Sequence, residues 1–485
     1  EGIESTGEII AKALCRLGYQ VYGYRHFSSR IQGGHTNYKL RISIKPVAAL
    51  ADNLDLVIAL DHETIDLSCR ALNSGGLILA DNTIRLPATT ECLAQVVTVP
   101  FSELAAACGS SQDKNVVAIG VMAAALGLPI DFAADAVAEH FGHKGAELQT
   151  INRDAMTRGY NYVKEELPQL VNRWRLLPAE GQKYLFLTGN EAIALGAVCC
   201  GARFMAAYPI TPASEIMENL VKLLPALGGV VIQTEDEIAA CTMAIGANYG
   251  GVRAFTASSG PGLSLMVESI GLAGMTETPL VIVNVQRGGP STGLPTKHEQ
   301  SDILAMLYAT HGEIPKIVMA PCSVADAFYD TAEAFNLAEE YQCPVIVLSD
   351  LQLSLGKQAV VPFALDQVSI RRGKLQTAPL PPLPPNTFFK RYAVTNDGIS
   401  PRVVPGQLYG IHHVTGLEHD ETGKPSEQRT NRQEQTDKRL RKLQELPSVF
   451  KRPVHIDAPY EVAEVLIIGM GGAAGAVAEV TERLR

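Results

Sequence analysis

Four polar stretches in this sequence carry residue types that could do chemistry, and each follows a short apolar run. In "AYPITPASE", Ala207 to Glu215, Pro209 and Pro212 bracket Ile210 and Thr211. Proline fixes its own φ and restricts the residue before it, so the threonine backbone is stiff at the mouth of a strand. In "QTEDEIAACTMAIGANYGG" three acids, Glu235, Asp236 and Glu237, open a helix that is otherwise almost wholly apolar. Helix N-termini favour acids, which accounts for Glu235 and Asp236. Glu237 falls one position deeper, where the apolar helix must press on its neighbours. A carboxyl there loses solvation, which suits it to donate a proton or to hydrogen-bond a cofactor ring nitrogen.

The third stretch, "FTASSGPGLSLM", sets Thr256, Ser258 and Ser259 beside two glycines where a strand enters a helix. Small residues let a bound group approach the backbone, while ordinary turn and N-cap chemistry explains the same pattern. The fourth, "QRGGPSTGLPTKHEQSD", holds Arg287, Ser291, Thr292, Lys297 and His298 in a Gly/Pro-rich loop. Arg287 offers a planar fork for a carboxylate. A later "LIIGMGGAAG" has glycines between strand and helix, but not at dinucleotide-fingerprint spacing, and reads as close packing.

These stretches need elements to position them. From "YLFLTG" at 183 to "PVIVLSD", short apolar strands alternate with helices, the pattern of a parallel sheet covered on both faces. Ligands in such folds sit at the carboxyl ends of the strands, where all four stretches fall. The reading is therefore an α/β protein of three domains. Residues 1–182 form one α/β domain with a polar connector, and 183–365 the parallel-sheet domain. A Pro-rich linker covers 366–390, and 391–485 forms an incomplete third α/β domain of one strand and one helix. A chain opening at Glu1 and stopping there is expected to be trimmed at both ends.

Composition narrows the function classes. The chain has 485 residues, 46% hydrophobic and 19% charged, and a net charge of −10, which argues against a nucleic-acid binder. The longest apolar run, Val116 to Ile130, is broken by a proline and too short to span a bilayer. No secretory leader is in view. Nine cysteines are scattered without a Cys-x-x-Cys pair, which reads as buried core thiols in a reducing, cytoplasmic compartment, with no metal or iron–sulfur cluster held by this chain.

Taken together, "YPITP", "EDEIAACTMAIGANYGG", "TASSGPGLSLMVE", "QRGGPSTGLPT" and "HVTGLEHDETG" resemble the alpha subunit of 2-oxoacid:ferredoxin oxidoreductases. The variant most resembled is the 2-oxoglutarate type, with a gamma domain fused ahead. "EGIESTGEIIAKAL" and "IQGGHTNYKLRIS", with its Gly33–Gly34 turn, look like that gamma domain, which has a CoA-related role in the family. The resemblance implies thiamine-dependent decarboxylation of a 2-oxoacid, electrons to ferredoxin through iron–sulfur clusters, and formation of an acyl-CoA, in either direction. It makes 183–365 the pyrimidine-binding thiamine diphosphate domain and the last segment transketolase C-terminal-like.

The resemblance also implies roles. Glu237 would hydrogen-bond the cofactor's aminopyrimidine, and Thr211 would contact the substrate's carboxylate or keto oxygen. Arg287 and Lys297 would bind substrate, with His298 in the same loop. Pro209, Ile210, Thr256, Ser258 and Ser259 would line the cofactor. No Gly-Asp-Gly, the segment that holds the diphosphate's magnesium in thiamine enzymes, occurs here. The expectation is half an active site, completed by a beta subunit that brings Mg2+ and a [4Fe–4S] cluster, in an αβ or (αβ)2 assembly. Pyruvate, branched-chain or aryl 2-oxoacids are alternative substrates. A non-catalytic binding or assembly subunit is the alternative from another class, and a nucleotide-dependent dehydrogenase a distant third.

Overall fold

The computed structural model describes residues 2–28, 34–85, 96–109, 113–141, 145–179, 181–308, 310–449 and 464–484. Gly33 of the expected glycine turn and Cys92 lie outside the described residues. The chain divides into two compact units, 1–187 with 356–362, and 188–355 with 363–485.

The strands among the described residues are β1 (Gln20–His26), β2 (Asn37–Ser43), β3 (Leu54–Ala59), β4 (Leu72–Asp81), β5 (Val96–Val99), β6 (Leu185–Thr188), β7 (Phe204–Ala207), β8 (Val230–Gln233), β9 (Ala254–Ser258), β10 (Leu280–Gln286), β11 (Ile317–Met319), β12 (Pro344–Asp350) and β13 (Lys357–Val360). In the first unit β1 and β2 pair antiparallel within a four-stranded sheet ordered β2-β1-β13-β6, and β3-β4-β5 form a parallel sheet. The helices Gly2–Arg16, Lys114–Leu126 and Ala146–Glu166 supply much of its core, with Leu14, Val117, Ile119 and Met156 buried. "YLFLTG" does form a strand, but β6 joins this sheet through β13 and not the second unit's sheet. A four-residue strand has too little pattern to say which edge it will pair with.

The second unit is built on a six-stranded sheet ordered β11-β12-β10-β9-β7-β8, in which every pairing is parallel. Its central strands β10 and β12 are buried at every residue, as strands covered on both faces must be. Alternation sorts their side chains. Ala254, Ile282, Ile346 and Leu348 pack with Cys241, Ala244, Leu263, Met266 and Ile270 of the helices Glu237–Tyr249, Gly260–Leu265 and Val267–Met275. Phe255 points the other way, edge-on to Phe335 of the helix Val324–Tyr341 at 5.5 Å. From β7 the chain runs to β8 on one side and to β9 on the other, so the order reverses between β7 and β9. Crevices at such reversals are where ligands bind in open α/β sheets.

Residues 363–449 contain little sheet yet are tied down within this unit. Glu339 accepts from Arg253, Arg372 and Arg402. Fully buried Glu277 pairs with Lys438 at 2.5 Å and Lys442 at 2.6 Å, and Arg391 donates to its carbonyl. The strand expected in "EVLIIG" is absent: Glu464–Met470 is irregular, with Val465, Leu466 and Ile468 exposed, and only the helix Ala474–Leu484 follows. A strand is held by ladder bonds to a neighbour, and none lies beside it among the described residues. The thiol expectation also needs a correction. Among the described residues seven cysteines are free, but Cys69 is disulfide-bonded.

Candidate active site at the carboxyl ends of β7, β9 and β10

The turn after β7 is held by two side chains. Asn190, fully buried at the start of the helix Gly189–Cys199, donates to the Pro212 carbonyl at 2.9 Å. Arg287, the residue after β10, donates through Nη1 to the Thr211 carbonyl at 2.6 Å and through Nη2 to the Thr292 carbonyl at 3.0 Å. The Thr211–Pro212 peptide is cis. Ile210 and Thr211 are half-buried and Pro209 is exposed. The rigidity read from the two prolines is thus reinforced by hydrogen bonds to two successive carbonyls.

Arg287 is only 7% exposed, and its partners in this clamp are neutral carbonyls. Its Nε is buried without a hydrogen bond. Burial lowers its pKa, opposed by the charge of Asp302. An anion brought against this guanidinium would relieve both the charge and the orphaned N–H, which makes Arg287 a candidate anion receptor.

Glu237 is the first residue of the helix Glu237–Tyr249, capped by Asp236, whose side chain accepts from the Ala239 N–H at 2.7 Å. Glu235 and Asp236 are exposed while Glu237 is 7% exposed, as expected from its deeper position. Next to it lies Ser258, whose Oγ is fully buried and unpaired. Between the two sits Gly262. A Cβ there would overlap Ser258 Oγ and come within 2.7 Å of Glu237 Oε1. Only the residue with no side chain lets the helix start pack this closely on Ser258 and Glu237.

The other hydroxyls are placed differently. Ser259 donates to the Val285 carbonyl at 2.8 Å, which ties the start of the helix Gly260–Leu265 to β10. Thr256 is buried on the Ser258 face, two residues further into β9. Lys297 is exposed; its main chain meets Gly288, whose N–H donates to the Lys297 carbonyl at 2.9 Å. His298 lies 3.6 Å from Asp350 at the end of β12. The structure brings Thr211 and Arg287 together, and Glu237 with Ser258; it leaves the Lys297 side chain on the surface.

Sequence reading missed Asn284, Gln286 and Asp302. Pairing sets Asn284 beside Ser258 and Gln286 beside Asp350, so the apolar face of the sheet ends in a polar row. Asn284 donates to Asp302 at 3.1 Å, and its Oδ1 is buried without a partner. Burial raises the Asp302 pKa, with the Asn284 hydrogen bond opposing. The available signal was the placement of two amides on alternate positions, facing one side, in "VIVNVQ".

The buried Glu237 carboxyl at the head of its helix, packed against Ser258 and Gly262, fits a hydrogen-bonding nitrogen of a heteroaromatic ring. Among the described residues no cluster of three or more His, Cys, Asp or Glu side chains could hold a metal ion. No helix there is long and apolar enough to cross a membrane.

Comparison with known proteins agrees with this fold. Residues 195–438 match the family model "Pyruvate flavodoxin/ferredoxin oxidoreductase, thiamine diP-bdg", and residues 1–162 match "Pyruvate ferredoxin/flavodoxin oxidoreductase". Sheet, reversal point and family match define an α/β protein with a thiamine diphosphate-binding domain. The chain is 34% identical to the 2-oxoacid:ferredoxin oxidoreductase subunit alpha of a Sulfolobus species, over 99% of this chain and 82% of that one. It is 48% identical to the 2-oxoglutarate synthase subunit KorA of Methanothermobacter thermautotrophicus, over 50% of this chain and 61% of that one. The solved 2-oxoglutarate:ferredoxin oxidoreductase from Magnetococcus marinus, with 2-oxoglutarate, coenzyme A and succinyl-CoA bound, superposes with a TM-score of 0.88 at 34% identity. That match covers 100% of this chain and 83% of the other. The chain belongs to the family of 2-oxoacid:ferredoxin oxidoreductase alpha subunits.

Proposed function

We propose that this chain is the alpha part of a cytoplasmic 2-oxoglutarate:ferredoxin oxidoreductase that is active only with a beta subunit. The observation that carries the reading is the presence of two buried polar groups at the strand ends. One is the buried Glu237 carboxyl beside Ser258, and the other is the Arg287 guanidinium clamped on two carbonyls with Nε to spare. The choice of 2-oxoglutarate is supported by the substrates named for the Magnetococcus marinus enzyme and the Methanothermobacter subunit. The lack of a Gly-Asp-Gly segment supports a separate beta subunit holding the diphosphate, Mg2+ and a [4Fe–4S] cluster.

When bound, thiamine diphosphate supplies the nucleophilic carbon and the electron sink that decarboxylation of a 2-oxoacid requires. Glu237 would hold a proton at a ring nitrogen of the pyrimidine from the start of its helix. Gly262 allows the Ser258 hydroxyl and the Glu237 carboxyl to pack closely and so sets the position of that carboxyl. Thr211 and Arg287 orient the substrate carboxylate from the opposite loops. Their mutual hydrogen bond fixes that orientation before substrate arrives, which avoids an ordering cost on binding. CoA is the acyl acceptor and ferredoxin the electron acceptor.

The test is to purify this chain with its companion subunit and assay 2-oxoglutarate, pyruvate and branched-chain and aryl 2-oxoacids with CoA and a one-electron acceptor. Turnover with 2-oxoglutarate that requires both subunits and thiamine diphosphate is expected. A preference for another 2-oxoacid would correct the substrate, activity of this chain alone would contradict the half-site, and inactivity with every acid would support an assembly role.

A further inference from the structure

Between Arg287 and Asp302 the chain leaves the sheet, makes the polar loop and returns to it. The start of the loop closes on itself: Gly288 and Leu294 form an antiparallel bridge, and Leu294 N–H donates to the Gly288 carbonyl at 2.8 Å. Its end is tied by one residue. The Asp302 N–H donates to Gln286 Oε1 at 3.0 Å, and the Asp302 carboxylate accepts from Asn284 Nδ2 at 3.1 Å. A Cβ on Gly260 would lie 2.8 Å from that carboxylate, so it is packed against the start of the helix Gly260–Leu265. The Thr292 carbonyl inside this loop is one of the two acceptors that hold Arg287.

We propose that Asp302 is a positioning residue for the 2-oxoacid. By tying the end of the 288–301 loop to Asn284 and Gln286, it keeps the Thr292 carbonyl against Arg287 and so sets how tightly the substrate carboxylate is held. This rests on the reading of Arg287 given above. Arg287 and Glu299 are the charged groups that act on Asp302, and the Ser301 hydroxyl hydrogen-bonds it. Asp302 is also the charge that opposes the effect of burial on Arg287, so loop closure and charge balance meet in one side chain. The hydrogen bonds imply that geometry matters more than charge, because an asparagine at 302 keeps an acceptor for Asn284.

The experiment compares Asp302→Ala and Asp302→Asn in the complex with the companion subunit, reading KM and kcat for 2-oxoglutarate separately. In parallel, trypsin cleavage after exposed Lys297 is timed in the full chain. Asp302→Ala is expected to raise KM about tenfold with kcat within about threefold, the signature of lost substrate positioning. It should also speed cleavage at Lys297, while Asp302→Asn stays close to wild type in both readings. Unchanged KM and cleavage in Asp302→Ala, a fall in kcat at constant KM, or equal damage from Asp302→Asn would each overturn the proposal. Gln286→Leu removes the acceptor of the Asp302 N–H and reads the same tie if the alanine variant does not fold. The proteolysis needs no turnover, so failure of the tie and failure of the 2-oxoacid reading give different results.

Discussion

At Gly262 a methyl group would overlap Ser258 Oγ and press on the Glu237 carboxyl. If that carboxyl holds a bound ring, displacing it by Gly262→Ala should weaken thiamine diphosphate binding to the complex by about tenfold or more, which is about 1.4 kcal/mol. Calorimetric titration of thiamine diphosphate measures this directly, and unchanged affinity would move the ring elsewhere. Glu237, Thr211 and Arg287 could be picked out from sequence because each breaks a local pattern: an acid in an apolar helix, a threonine between prolines, an arginine at a strand end. Asn284 and Asp302 break none. Their placement comes from strand register and loop return, which depend on contacts far apart in the chain.

At the level of elements, the segment after the proline run shows how much packing a charged stretch can hide. "NRQEQTDKRLRKLQEL" is dense in charge, yet Lys438 and Lys442 of this stretch are fully buried on Glu277. The periodicity gives no warning, because a lysine is buried only when a carboxylate from another element meets it. Burial favours a neutral Glu277, but the charges of Lys442, Lys438 and Arg391 together hold its carboxyl well below the usual range. Burial in turn lowers Lys438 to about 8, with the Glu277 charge opposing.

A depressed carboxylate contributes stability that is complete above its unfolded value, near 4.3, and is lost as pH falls towards its folded value. Glu277→Gln should therefore cost about 3 kcal/mol or more at neutral pH, because it leaves two buried lysines without their partner. The difference from wild type should shrink as the pH is lowered below about 4. Thermal unfolding across that range tests both statements. An equal deficit at every pH would mean that the Glu277 charge contributes nothing.

For the whole molecule, most of the α/β architecture was legible because a parallel sheet covered on both faces writes continuous apolar runs into its strands. Strand partners were less legible: β6 and β13 are too short to announce the sheet they join, and the "EVLIIG" run has no strand beside it among the described residues. The candidate site follows from the reversal between β7 and β9, which sets the "YPITP" turn and the Ser258 end on either side of one crevice. The proposal of a half-site rests on chemistry: groups that suit a ring and a carboxylate are present, and no Gly-Asp-Gly segment occurs in this sequence.

The most direct measurement is the turnover of the assembled complex carrying Glu237→Gln, which keeps the shape of the side chain and removes its acid. The account predicts a fall in kcat of about 100-fold or more, within the range for loss of a positioned acid–base group, with assembly and stability unchanged. Activity within a few-fold of wild type would contradict it, because the buried carboxyl would then have no part in the reaction.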